Sequence, residues 1–256
     1  MGVSMETAKL WVERWERQQE HYAIAREERF RVIADVVEHV AAHRSRPLLL
    51  DLGCGPGSLA ARLAARLPDT EIVAVDMDPV LLELGRTHHA EAARYVDTVI
   101  GDSGWTDALA LDRPLDAAVS TTALHYLSEQ TLLRTYRRLA SLLRPGGALV
   151  NGDHFPLDDR RCSELTAHVG RRRAERSRTR DHEDWESWWS AAARAPELTD
   201  LFTEREKRQA ALGNHDGNDN DLTLTRHIEL LRQAGFRHIT TVWQGGDSHV
   251  LVALKE

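Results

Sequence analysis

Apolar positions at helical spacing open the chain. Between residues 6 and 44, Leu10, Trp11, Trp15, Tyr22, Ala25, Phe30, Ile33, Val36, Val37 and Val40 recur at three- and four-residue steps. The pattern predicts helix, with a break near His21–Ala25 because the stretch is long for a single element. Pro47 then introduces Leu48-Leu49-Leu50-Asp51-Leu52, a continuous apolar run followed by glycines, as in a strand buried on both faces. From there two periods alternate. Residues 58–67, 79–92 and 128–143 are predicted helices. Glu71–Asp76, Tyr95–Ile100, Asp116–Ser120 and Ala148–Asn151 are predicted strands, and Pro145-Gly146-Gly147 stops the last of the helices. Such alternation predicts βαβ units and a parallel sheet.

The rhythm stops after His154. Residues 158–212 are helical in character and rich in Arg, Glu, Ala and Trp, whereas Gly213–Asp221 lacks any apolar side chain and is a predicted loop. A helix at 223–234, with Gly235 in the position of a C-terminal cap, restores the pattern. Two strands, Ile239–Trp243 and His249–Leu254, flank Gln244-Gly245-Gly246-Asp247 as in a hairpin. The expected organisation is an N-terminal helical cover (1–44), a core (45–154 and 222–256) and an inserted helical lid after the fifth strand (155–221).

Composition narrows the function. The 256 residues are 42% hydrophobic and carry a net charge of -7, which suits an ordinary globular chain and gives no basic footprint for nucleic acid. Two cysteines, Cys54 and Cys162, are too few for a disulfide framework and lack metal-type spacing. Reduced thiols, no apolar leader and no membrane-length run predict a cytoplasmic protein without membrane contact. No internal repeat of 20–50 residues is seen.

The chemistry concentrates in Asp51-Leu52-Gly53-Cys54-Gly55-Pro56-Gly57, between the first strand and the first core helix. Glycines there let the backbone approach a ligand, and the turn aims N–H groups and a positive helix end at it. A dinucleotide loop is spaced G-x-G-x-x-G, but position 58 is Ser. Asp51 would also repel a pyrophosphate, whereas it would attract an ammonium group. In open parallel sheets ligands bind at the carboxyl ends of strands, and Asp51, Asp76 and Asp102 lie at three successive ones.

These residues resemble motif I and the following strand ends of class I S-adenosylmethionine-dependent methyltransferases of the small-molecule type. The resemblance covers about residues 45–154, ends at the turn Leu143-Arg144-Pro145-Gly146-Gly147, and has a compatible tail at 222–254. It implies an α/β fold with a Rossmann-like, seven-stranded, mostly parallel sheet and helices on both faces. It also implies S-adenosyl-L-methionine as cofactor. Asp51, Gly53, Cys54, Gly55 and Gly57 would hold it, Asp76 its ribose, and Met77 its adenine. Asp102 and Ser103 would sit near the adenine amino group, and Trp105 would stack on that ring. Ser120 and Thr121, after the fourth strand, are placed at the same site. They stand where metal-assisted catechol methyltransferases keep an acid, so no metal is expected.

Ser120–Leu127 lies, by the same resemblance, between cofactor and acceptor. His125 is the first candidate for a general base or acceptor-orienting group, and His154 the second, with Asp153 a candidate to orient His154. Each histidine also has a structural alternative, as a hydrogen-bonded core residue. Acceptor candidates are Tyr126, Gln19, Tyr22 and Arg29, the last three in the N-terminal cover. Trp185, Trp188 and Trp189 share one helical face and either pack in the core or wall an acceptor pocket. As an exposed face they would suit a homodimer. Arg171, Arg172, Arg173, Arg176, Arg178 and Arg180 are interleaved with Glu175, Asp181, Glu183 and Asp184, which favours a salt-bridged helix over a nucleic-acid surface. The expected activity is methyl transfer to an O, N or C nucleophile of a small molecule, with secondary metabolism as its expected setting. The rivals are an RNA or protein methyltransferase of the same fold and a non-methylating S-adenosylmethionine-binding enzyme.

Overall fold

The computed structural model describes residues 2–23, 25–178, 182–212 and 220–256. The predicted loop 213–221 therefore lies outside the described residues except for Asn220 and Asp221, and so do Arg180 and Asp181. The N-terminal periodic segment forms α1 (Met5–Tyr22) and α2 (Arg26–Ala41). The Ser4 side chain caps α1 by accepting from the Thr7 N–H, and Ala25 at φ 57° interrupts the helical ladder between the two.

Seven strands follow: β1 (Leu48–Leu52), β2 (Glu71–Asp76), β3 (Arg94–Asp97), β4 (Leu115–Thr121), β5 (Leu143–His154), β6 (His238–Gly245) and β7 (Ser248–Leu254). Their order in one sheet is β3-β2-β1-β4-β5-β7-β6. All neighbours from β3 to β5 pair in parallel, and β7 runs antiparallel to both β5 and β6. The helices α3 (Ser58–Arg66), α4 (Pro79–His88), α5 (Trp105–Ala108), α6 (Glu129–Leu142) and α10 (Leu224–Gln233) connect the strands. Between β5 and α10 the chain adds α7 (Arg160–Ser177), α8 (Trp185–Ala192) and α9 (Thr199–Leu212). The chain thus has the Rossmann-like, mostly parallel seven-stranded sheet that its strand ends imply.

Two strands differ most from their predicted spans. β3 ends at Asp97, so Thr98–Ile100 leave the sheet and become free to line a ligand site. β5 begins at Leu143, ahead of the glycine pair, because the ladder tolerates a bulge opposite Leu115–Ala117, with Gly146 at φ 75°. Arg144 Nε, donating to Asp116 at 2.5 Å, pins that bulge.

Side-chain alternation along β1 divides the core. Leu48, Leu50 and Leu52 pack on one face with Tyr136, Leu139, Leu230 and Phe236, while Leu49 packs on the other with Phe30, Ile33, Val37 and Leu63. A third cluster joins α1, α4 and α8 through Trp11, Trp15, Leu81, Leu84 and Trp188. The tryptophans of α8 therefore face the chain's own α1 rather than solvent, which removes the exposed face a homodimer was expected to use. Two arginines of the α7 run are salt-bridged: Arg172 pairs with Glu175 one turn on, and Arg173 reaches Glu28 of α2 at 2.7 Å.

Candidate functional site

The turn from β1 into α3 is built by glycines in conformations that other residues resist. Gly53 and Gly55 have φ of 65° and 53°. A Cβ on Gly53 would lie 2.3 Å from the Ala123 Cβ, so the turn can sit against the segment after β4 only with glycine there. Gly55 N–H donates to the Asp76 carboxylate at 2.8 Å. The other oxygen of Asp76 accepts from the N–H groups of Met77 (2.8 Å) and Asp78 (3.0 Å). These bonds fix the carboxylate at the end of β2, and it lines a cavity. Burial lifts its pKa to about 6, against those three hydrogen bonds.

That cavity has a volume of about 880 Å³ and runs along the carboxyl ends of the parallel strands. The β1–β2–β3 end is lined by Gly53, Cys54, Gly55, Asp76, Met77, Leu81 and Thr98–Ile100. The β4–β5 end carries Thr121, His125, Tyr126, His154 and Asp247. Trp15, Gln19, Tyr22 and Arg26 from α1 and α2, and Trp185 from α8, close it over. α9 clasps the outside of the β2–β3 end: Arg205 bonds Asp78 (2.6 Å) and stacks on Trp189, and Arg208 bonds Asp97 (2.6 Å) and the Met77 carbonyl (3.1 Å).

His125 sits in a short 3-10 turn, Leu124–Tyr126, directly after β4. Its Nδ1 lies 2.8 Å from the Asp153 carboxylate. Asp153 is 1% exposed. Burial alone would raise its pKa, yet the hydrogen bond and charge of His125, with His154 and Arg29 nearby, hold it below the usual carboxylate range. The turn itself is tied down by Asn220, whose N–H donates to the His125 carbonyl (2.8 Å) and whose side chain donates to the Leu127 carbonyl (2.9 Å). Asp153, a candidate either to orient His154 or to be a solvated strand-end residue, does neither: it is buried against His125. Instead the ring of His154 faces Asp247, with Nδ1 3.3 Å from Oδ1.

Several expected site residues lie elsewhere. Asp51 does not line the cavity and is 1% exposed. Neither of its oxygens has a hydrogen-bond partner among the described residues, and burial, with the charge of Asp76, pushes its pKa to about 7. Gly57 caps α3 against the Tyr95 hydroxyl, outside the cavity. Asp102 and Ser103 are exposed on the turn after β3, and Trp105 is buried in the core beside Leu50 and Leu52. Ser120 spends its hydroxyl on the Leu52 carbonyl at 2.9 Å, cross-linking β4 to β1. Arg29 is fully buried behind Gly152 and donates to Ser248, so it is not at the cavity surface. Trp188 and Trp189 belong to the tryptophan cluster, leaving Trp185 as the one of the three that faces the cavity.

Sequence reasoning missed Trp15, Arg26, Thr98–Ile100, Asn220 and Asp247. Of these, only Asp247 carried a signal, an acid in a hairpin turn beside the predicted β5 end. Among the described residues no cluster of metal ligands is found, and no helix is long and apolar enough to cross a membrane.

The donor set tests the fit of a nucleoside sulfonium. The β1–β2 end offers the half-buried Asp76 carboxylate at the cavity surface, the Asp51 carboxyl sealed behind the turn, and a glycine floor that no Cβ obstructs. Such a site suits a ligand with an ammonium and a ribose and would repel a pyrophosphate.

Comparison with known proteins agrees. Residues 49–147 match the family model described as a methyltransferase domain. Trans-aconitate 2-methyltransferase of Methylobacterium radiotolerans is 34% identical over 50% of this chain and 46% of its own length. Carboxy-S-adenosyl-L-methionine synthase of Yersinia enterocolitica is 29% identical over 81% of this chain and 69% of its own. The crystal structure of human N-acetylserotonin methyltransferase in complex with SAM covers 94% of this chain and 56% of that one, with a TM-score of 0.53 at 19% identity, which is a likeness of fold. The chain spans about half the length of several curated relatives it matches, at 46% and 48% of the first two.

Proposed function

We propose that this chain, whose core is a methyltransferase domain of the class I Rossmann-like type, transfers the methyl group of S-adenosylmethionine to a hydroxyl of a small molecule. One observation carries the reading: a single cavity joins the glycine turn and Asp76 at one end to the His125–Asp153 pair at the other. Its volume of about 880 Å³ lies within the ~300–1,000 Å³ of small-ligand sites.

S-adenosylmethionine supplies the electrophilic methyl group when bound. Asp76 would accept from the ribose hydroxyls, Met77 and Thr98–Ile100 would flank the base, and Asp51, sealed behind the glycine turn, would act on the ammonium only through its charge when ionised. His125, with Nδ1 committed to Asp153, takes the acceptor's proton at Nε2. Trp15, Tyr22 and Trp185 exclude water, α7 and α8 form the lid over the acceptor end, and α9 covers the β2–β3 end. The N-terminal helices serve as its second wall. Asp247, Tyr126 and His154 complete the acceptor pocket.

The test is calorimetric titration with S-adenosylmethionine, followed by incubation of labelled cofactor with candidate acceptors. Binding and label in the acceptor support the reading. Uptake of a nicotinamide or flavin dinucleotide in its place sinks it, and cofactor consumed without methyl transfer favours the non-methylating alternative.

Asp76→Ala is expected to weaken S-adenosylhomocysteine roughly 10- to 150-fold, because hydrogen bonds to a charged acceptor contribute ~1.5–3 kcal/mol. In the wild type, affinity should fall as pH drops through about 6, since protonation removes the acceptor that binds the ribose. Asp51, lifted to about 7, acts in the same direction. Calorimetry across pH 5–8 reads both effects, and an affinity untouched by the substitution removes the ribose assignment.

A further inference from the structure

The inserted segment returns to the cofactor end of the cavity through α9. Leu201 and Phe202 seat that helix against the cluster that holds Leu81 and Leu84 of α4. Arg205 and Arg208, three residues apart and so neighbours on one helix face, reach the ends of β2 and β3. Arg205 Nε donates to Asp78 Oδ2 at 2.6 Å, and the same carboxylate caps α4 by accepting from the Val80 and Leu81 N–H groups. Arg208 Nε is held by Glu204, one turn back, at 2.9 Å. Its Nη1 donates twice, to Asp97 Oδ1 at 2.6 Å and to the Met77 carbonyl at 3.1 Å. One nitrogen therefore joins the first residue after β2 to the last residue of β3.

That junction is where the sheet ends. Asp76 and Asp97 are the last register partners of β2 and β3, and the Thr98 N–H donates to the Asp76 carbonyl at 3.0 Å. Past this bond no backbone hydrogen bond joins the two segments among the described residues. Yet both of them, Met77 on one side and Thr98–Ile100 on the other, line the cavity. Their separation is left to side chains, and Arg208 bridges them. We infer that Arg208 positions the cofactor: it fixes the gap between Met77 and Thr98, acting through the Met77 carbonyl and Asp97. On the methyl-transfer reading above, on which this rests, that gap takes the adenine.

Arg208 does not line the cavity, so it is a positioning residue and not a contact of the ligand. The side chains of Arg208 and Asp97 are 31% and 33% exposed. A pair so open to water contributes little to global stability. What it contributes is alignment. Two loops free to move must be ordered when the base enters, and that ordering weakens binding; a gap already set avoids it. α9 thereby serves the methyl donor, although it belongs to the segment inserted between β5 and α10.

The test is calorimetric titration of S-adenosylhomocysteine into the whole chain and its variants, with melting temperatures measured alongside. Arg208→Gln is expected to weaken binding about three- to tenfold, since both loops must then be ordered by the ligand. Its melting temperature should fall by less than about 3 °C, because the pair is part-exposed. Arg208→Lys, which keeps a cation for Asp97 and a donor for the Met77 carbonyl, should come back to within about twofold of the wild type. Asp97→Asn should also weaken binding, and combined with Arg208→Gln it should bind no worse than Arg208→Gln alone, because the two act through one contact. Unchanged affinity in Arg208→Gln overturns this proposal and leaves the methyl-transfer reading intact. So does a lysine variant as weak as the glutamine one, or additive losses in the double variant. A loss of affinity that comes with a larger fall in melting temperature assigns the pair to folding and overturns it as well. Failure of the wild type to bind S-adenosylhomocysteine overturns the methyl-transfer reading and this proposal together.

Discussion

Replacing His125 with Asn is expected to lower methyl transfer to a hydroxyl acceptor by ~10²–10⁴-fold, the usual contribution of a positioned general base. Cofactor affinity should change little, because His125 lies at the β4–β5 end of the cavity and the cofactor's polar contacts fall on β1 and β2. The size of the effect follows from the geometry. A hydroxyl with a high pKa is a weak nucleophile until its proton has somewhere to go. A buried, ionised Asp153 at 2.8 Å fixes the ring and its tautomer. Asp153→Asn should give a smaller loss and move the acid limb of the pH–rate profile to lower pH. Removing the carboxylate lowers the imidazole pKa, so the basic form persists into more acidic solution. Steady-state rates with saturating cofactor measure both variants. Wild-type turnover in His125→Asn would take the residue out of the chemistry.

Trp188→Ala should cost about 3–5 kcal/mol of stability, the range for truncating a large buried aromatic side chain. Trp188 is 0% exposed and meets Trp11, Trp15 and Trp189 at ring distances of 5.6, 5.1 and 4.9 Å. Its indole N–H donates to the Trp11 carbonyl at 3.3 Å. Truncation opens a cavity at the only joint where α8, α1 and α4 share a cluster among the described residues, and little around it can collapse inward. For a chain of this size, each kcal/mol lowers the melting temperature by ~2–4 °C. Urea unfolding with an unchanged slope checks the figure, and a loss below about 1 kcal/mol would mean that the cluster contributes less than its burial implies. Trp15 lies against the Gly55 turn and Trp185 also lines the cavity, so cofactor affinity should fall as well.

What was legible in the sequence was local. Leu48–Leu52, the glycine turn and Asp76 lie within 29 residues, counting 48 through 76, and each states its own period or its own conformational need. The helix break at Ala25 was legible for the same reason. The His125–Asp153 pair was not, because one member follows β4 and the other lies on β5, and they are joined only through the β4–β5 register. The expected Asp153–His154 pairing fails on elementary strand geometry: adjacent residues of β5 point to opposite faces. Trp105 shows a different limit. An aromatic residue after a strand reads equally well as a stacking platform or as core, and Gly104, at φ 78°, turns it inward. Asp51 shows a third. It stands at the turn as the sequence says, but nothing in the sequence says that the carboxyl is sealed away from the cavity.

The insertion of β7 between β5 and β6 has a consequence for the order in which the molecule is assembled. The cofactor end of the cavity is encoded by residues 48–100, and it can take shape while the ribosome is still adding the remainder. His154 waits far longer, since Asp247 arrives with a hairpin that must slide in antiparallel beside a strand completed about ninety residues earlier. Until then the outer edge of β5 stands open to any passing strand. The glycine turn and Asp76 are thus synthesised long before β7, whose Val250, Leu251, Val252 and Ala253 complete the core on both faces of the sheet.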